Sequence, residues 1–195
     1  NFLALLGWSL DDSSELFSRD QLIDSFTIDR VGDSAAVFDI DKLSWMNGVY
    51  IRDLSDLALA KEIEPFLDVS ASLASEVPGK PSLVEIVPVI KERIKTLTDA
   101  DKMISFFGDE KLVYDPDLLI PKGLDPAQVA TVLDTVYPLL EQTDDFATRT
   151  LEVNLRAHAA ELDLKPGQVF SVLRVALTGR TVAPPLFETM EILGK

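Results

Sequence analysis

DPAQVATVLDTVYPLLEQTDDFATRTLEVNLRAHAAELDLKPGQVFSVLRVALTG, residues 125–179, reads as three helices set between their own start and stop signals. Asp125 can cap the first. Pro126 stands at its opening position, where a missing N–H costs nothing, and Gln128 stands where a side-chain amide reaches back to the cap. Val129, Val132, Val136 and Leu140 then recur every three or four residues, the period of one buried helical face. A second helix is expected over about residues 145–162. Lys165-Pro166-Gly167 introduces a third over 168–178, and Gly179 lies just past its last turn, where a left-handed backbone is wanted.

The same grammar extends in both directions. A final helix begins near Pro184-Pro185, with Leu186, Met190 and Leu193 as its apolar stripe. Upstream, residues 83–97 place Val87, Ile90, Ile94 and Leu97 on one face, and 98–107 form a further helix ended by Gly108. Residues 39–54 carry Trp45, Met46 and Tyr50 at helical spacing. Ser55 caps a helix running to about Glu64, where Pro65 ends it. Phe2, Leu3, Leu5 and Leu6 read as last helical turns closed by Gly7. No run alternates as a strand would, so the expected fold class is all-α, a multi-helix bundle. Residues 68–82, ending in Pro78-Gly79-Lys80-Pro81, are the best linker candidate. The chain opens at Asn1 and closes with an unfinished stripe, so it is expected to be a piece of a longer protein.

Composition narrows the function classes. Thirty-three Asp and Glu against 18 Lys and Arg leave a net charge of −15, which argues against a broad grip on a phosphate backbone. Residues 1–66 hold 13 acids and 5 bases, so the acidity is densest there. Without cysteine there is no disulfide or thiolate chemistry, and one histidine, His158, leaves a multi-histidine metal site or a Ser/His/Asp triad untenable. No phosphate loop, metal-binding His-Glu helix or nucleophile elbow occurs. Acid pairs at Asp11-Asp12, Asp109-Glu110 and Asp144-Asp145 sit beside turns, where they read as solvated carboxylates near helix starts. No apolar run approaches the roughly 18 residues that cross a bilayer, so the expectation is a cytoplasmic protein with no membrane partner and no metal.

Arginine placement in the second half is more informative. Lys91 and Arg93 flank the stripe of Val87, Ile90, Ile94 and Leu97 on opposite sides, where packing would aim a guanidinium in a fixed direction. Arg149 and Arg156, seven residues apart, share a face. Ser171, Arg174 and Thr178 share another. On spacing alone these arginines also fit side chains that snorkel or pair with a nearby acid.

Longer strings carry a resemblance. NFLALLGWS (1–9), LFSRDQLIDSFTIDRVGDSAAVFDIDKLSWMNGVYIRDL (16–54), VIKERIKTLTDADKMISFF (89–107) and KPGQVFSVLRVALTGRTVAPPLFETMEILGK (165–195) closely resemble, in order, the C-terminal half of bacterial-type glutamyl-tRNA synthetases. The resemblance implies that residues 1–66 end the stem-contact region. It makes 67–195 the α-helical anticodon-binding region, with two subdomains dividing near 115–124. The family's catalytic domain, with its HIGH and KMSKR motifs, uses ATP with Mg to attach glutamate to its tRNA. Neither motif occurs here, so the resemblance implies a monomeric fragment with no cofactor of its own, inactive alone, whose partner is glutamate tRNA through its anticodon loop.

Site residues follow from the matching strings. Arg93, in KERIKTL, falls where discriminating members carry an arginine for the third anticodon base and relaxed members a glutamine. Arg174, in VLRVALTG, matches the signature arginine that approaches the anticodon, and Arg156 fits a further basic contact. Ser171, Thr178, Pro184 and Leu186 complete the signature, packing or touching splayed bases. The chain departs from the family pattern at Ala183-Pro184-Pro185, where many relatives read a Ser-Pro or Thr-Pro pair. Two other readings stay open: a relaxed enzyme that also charges glutamine tRNA, and a helical protein-interaction domain without RNA binding.

Overall fold

A computed structural model describes residues 1–32, 37–68, 80–108 and 111–194. Among them the regular structure is entirely helical. Nine α-helices follow one another among the described residues: α1 Arg19–Ser25, α2 Ile40–Asp53, α3 Asp56–Ile63, α4 Leu83–Ile90, α5 Asp99–Ile104, α6 Pro126–Glu141, α7 Thr148–Glu161, α8 Pro166–Thr178 and α9 Leu186–Leu193. None is long and apolar enough to cross a membrane. The linker candidate, apart from its flanks, and the Asp109-Glu110 pair lie outside the described residues.

Caps stand where the sequence places them. Asp125 accepts from the Gln128 N–H at 2.8 Å while the Gln128 amide oxygen accepts from the Asp125 N–H at 3.0 Å. Gly179 takes φ 68°, ψ 11° beyond α8, its N–H donating to the Val175 carbonyl at 2.8 Å. Ser55 and Asp39 cap α3 and α2 by the same chemistry.

Two expectations are corrected, and one helix is added. The helix over 83–97 stops at Ile90, with Pro88 inside it, and residues 91–93 continue only as a turn. Ile94 is nonetheless fully buried, so the apolar spacing predicts burial beyond the helix itself. The opening residues make only a three-residue 3-10 turn, Ala4–Leu6. Gly7 follows it, and its carbonyl accepts from the Gly32 N–H at 2.7 Å. Helix α1 lies outside the segments that apolar periodicity marks. Its signal is a capping box in which Ser18 and Gln21 satisfy each other's backbone N–H groups.

Two apolar cores form. The first joins Ile51 of α2 with Leu59 and Ile63 of α3, Ile86, Val87 and Ile90 of α4, and Ile104, Phe106 and Phe107 around α5. It draws on residues from both sides of position 66. The second joins Val129, Val132 and Val136 of α6, Leu151 and Leu155 of α7, Val169, Val172 and Leu173 of α8, and Leu186 and Met190 of α9. Helix α9 connects them: its Met190 is buried in the second core, while Ile192 and Leu193 lie against the first. It packs on α7 and α8 and also reaches α4.

Candidate nucleic-acid interface

Helix α8 holds the central basic residue. Its Val169, Val172, Leu173 and Val175 are buried, leaving Ser171 and Arg174 half-buried at the margin. Among the described residues no hydrogen bond or ion pair engages the Arg174 guanidinium, whose stem is partly held by packing while its planar donors stay unused. That combination suits forked recognition of a phosphate or a base edge.

The other predicted residues divide into three kinds. Arg93 is exposed on the turn after α4, with no side-chain partner among the described residues. Lys91, its counterpart across the stripe, is committed to the fold. Its ammonium donates to the Leu54 carbonyl and lies 3.2 Å from Asp56, tying α4 to the α2–α3 corner. Arg156 is exposed but engaged: Glu152, one turn earlier on α7, accepts from it at 2.7 and 3.0 Å. Its guanidinium carbon lies 5.4 Å from the centre of the Phe170 ring.

Thr178, Pro184 and Leu186 are buried, where their side chains pack within the fold. Thr178 donates to the Arg174 carbonyl at 2.7 Å and accepts from the Arg180 N–H at 3.2 Å, stitching the end of α8 to the following turn. The Ser171 hydroxyl donates to the Gly167 carbonyl, one turn earlier on α8, at 2.7 Å. Arg156 and Arg174 therefore lie on neighbouring helices of the second core, and Arg93 lies on the first.

Sequence reasoning passes over Arg180. It is half-buried, and its guanidinium donates to the Lys102 carbonyl and, at 2.6 Å, to the Ser105 hydroxyl. A basic residue after a helix-ending glycine looks like solvated surface, and nothing local names a partner more than seventy residues away. Glu191 is passed over as well. From α9 it accepts from the backbone N–H and hydroxyl of Thr148 at 2.8 and 2.5 Å, capping α7 at an N-terminus whose own cap position holds Ala147. The Thr148 hydroxyl, then its N–H, hold the Glu191 carboxyl below its ordinary value. The Thr150 hydroxyl and Ala147 N–H do the same for Asp145. These carboxylates are fixed anions serving the fold, and no group of three metal-binding side chains occurs among the described residues.

Residues 58–195 match the family model for the anticodon binding domain. The chain is 46% identical over 198 residues to the glutamate–tRNA ligase of Dehalococcoides mccartyi (strain ATCC BAA-2100), covering all of this chain and 40% of that protein. It is 45% identical to the glutamate–tRNA ligase of Roseiflexus sp. (strain RS-1), covering 39% of that protein. The chain thus spans about two fifths of the length of the curated relatives it matches. The crystal structure of a glutamate tRNA ligase from Elizabethkingia meningosepticum, in complex with its amino acid, superposes with a TM-score of 0.79 at 26% identity, over 99% of this chain and 37% of that one. With most of its length inside the matched region and the same helical arrangement in a solved relative, the chain belongs to the anticodon-binding domain family.

Proposed function

We propose that this chain grips the anticodon loop of a glutamate tRNA, as the recognition portion of a ligase that joins glutamate to that tRNA with ATP and Mg. The single observation that carries the reading is the half-buried Arg174 on α8, unpartnered among the described residues, inside the matched anticodon-binding region. The relatives' shared name supports the amino acid and the tRNA. Single-stranded loop bases offer unstacked edges, so a few aimed guanidiniums suffice without a basic surface everywhere, and a net charge of −15 is compatible with such local recognition. Arg93 is assigned to the third anticodon base, and Arg156 to a supporting contact made at the expense of its pairing with Glu152. Residues 1–66 are assigned to the end of the stem-contact region and 67–195 to anticodon binding. No chemical step is assigned to this chain.

Fluorescence anisotropy with a labelled glutamate anticodon stem-loop tests the proposal. A charged base or phosphate contact contributes about 1–3 kcal/mol, so Arg174→Ala should weaken binding roughly 5- to 150-fold. Arg93→Gln should reduce discrimination against the glutamine anticodon. In the intact ligase, Arg174→Ala should raise KM for tRNA with ATP and glutamate binding unchanged. Equal affinities of parent and Arg174→Ala would refute the assignment, and RNA binding by neither would favour a protein-interaction domain.

A further inference from the structure

We infer that Arg180 is a positioning residue: it clamps the second core to the first and so sets the separation between Arg93 and Arg174. The inference rests on the anticodon reading above, because it explains how two arginines on different cores can serve one RNA loop.

The cores meet along α9, whose Met190 belongs to one and whose Ile192 and Leu193 lie against the other. Apolar contact of that kind resists separation better than rotation, since apolar packing is non-directional. A directional tie fixes the angle. Arg180 supplies it through donors on two different guanidinium nitrogens, one to the Lys102 carbonyl on α5 and one to the Ser105 hydroxyl on the following turn. No carboxylate lies among these partners, so the grip depends on the planar fork and not on charge pairing.

The other end of the tie is equally fixed. The Arg180 backbone N–H donates to Thr178, whose hydroxyl bonds the Arg174 carbonyl. Gly179 between them is left-handed, and Tyr114, from the segment between the cores, lies against it. From the Arg174 carbonyl to α5 there is thus a short chain of hydrogen bonds with one residue at its centre. Arg93 stands on the same core as α5, between Ile90 and Ile94 of the first core. Loss of the fork lets the cores rotate about α9, and only a fraction of molecules then presents both arginines at the spacing the loop requires. Apparent affinity falls by that fraction.

The chain has no cysteine, so paired labels can be introduced directly at two exposed positions, Glu62→Cys on α3 and Val153→Cys on α7. Electron–electron distance measurements on this pair should give a narrow distribution in the parent and a broader one in Arg180→Ala and in Arg180→Lys, which cannot span both acceptors. Ser105→Ala removes one of the two bonds with little risk to folding and should broaden it to a lesser degree. In anisotropy, Arg180→Ala should weaken stem-loop binding about tenfold. It should also shrink the discrimination contributed by Arg93, which a general loss of stability would not do selectively. An unchanged distance distribution in Arg180→Ala overturns the clamp, as does a broadened one with unchanged RNA affinity and discrimination. If the unsubstituted chain binds no stem-loop, the anticodon reading fails, and the distance distributions still decide whether Arg180 holds the cores together.

Discussion

Gly167 in the first turn of α8 and Gly179 just past its last turn should respond to alanine in opposite directions. At Gly179 the backbone is left-handed, at φ 68°, and a Cβ there would sit 3.2 Å from Tyr114 Cδ1. The left-handed conformation costs an L-residue about 1–2 kcal/mol. Displacing the Tyr114 ring by a few tenths of an ångström adds about 1 kcal/mol, at the low end of overpacking costs. The unfolded chain loses freedom with alanine, which returns about 0.4–1 kcal/mol. The net is a destabilisation of about 1–2 kcal/mol, or about 2–8 °C in melting temperature for a chain of this size. Gly167 has an ordinary φ, and a Cβ there would meet nothing within 4 Å, so Gly167→Ala should stabilise by about 0.5 kcal/mol, or roughly 1–2 °C. Thermal melting followed by far-UV circular dichroism on the parent and both variants measures the two shifts side by side. Gly179→Ala melting at or above the parent, or both variants shifting in the same direction, would refute the assignment of Gly179 as a left-handed helix stop.

Further tests follow from burial and charge. Met190→Ala opens the second core at a side chain only 2% exposed and should cost about 2–5 kcal/mol, whereas Val153→Ala, 59% exposed on α7, should change stability by less than about 0.5 kcal/mol; similar melting shifts would contradict the packing. Glu191 and Asp145 have carboxyls held below their ordinary 4.5 and 3.8, so the stability they confer is present above those values and is lost as pH falls through the lower folded-state values. Combining Glu191→Gln with Asp145→Asn should therefore flatten the acid limb of the stability–pH curve, and an unchanged limb would remove the capping role. Arg156→Ala should weaken stem-loop binding less than Arg174→Ala, because its guanidinium must first give up Glu152; the reverse order in anisotropy would reverse their assigned roles.

Much of the second core is legible in sequence because its signals are local. Capping by Asp125 and Gln128, the Val129–Val132–Val136 stripe and the Gly179 stop each depend on residues within one or two turns. Reading fails where apolar spacing marks burial and not helix. Spacing alone carries the helix through Leu97, while the helix ends at Ile90 and the Ile94 side chain keeps its buried place beyond a turn. The arginines show the limit most sharply. Arg93, Arg156 and Arg174 look alike as basic residues on helical segments, yet one is exposed on a turn, one is held by Glu152 and one is half-buried with its guanidinium unengaged among the described residues.

The sequence by itself determined the helical class, the order of the helices, most of their ends and the family whose strings they share. Helix periodicity and capping act over three or four residues, so each is written in its own segment. Tertiary structure alone decided that α9 joins two cores, that Glu191 caps a helix whose own cap position is Ala147, and that Arg180 reaches α5. Those interactions bring together groups 43 to 78 residues apart. Their donors and acceptors acquire partners only after the chain has packed, when each buried or fixed polar group must find one.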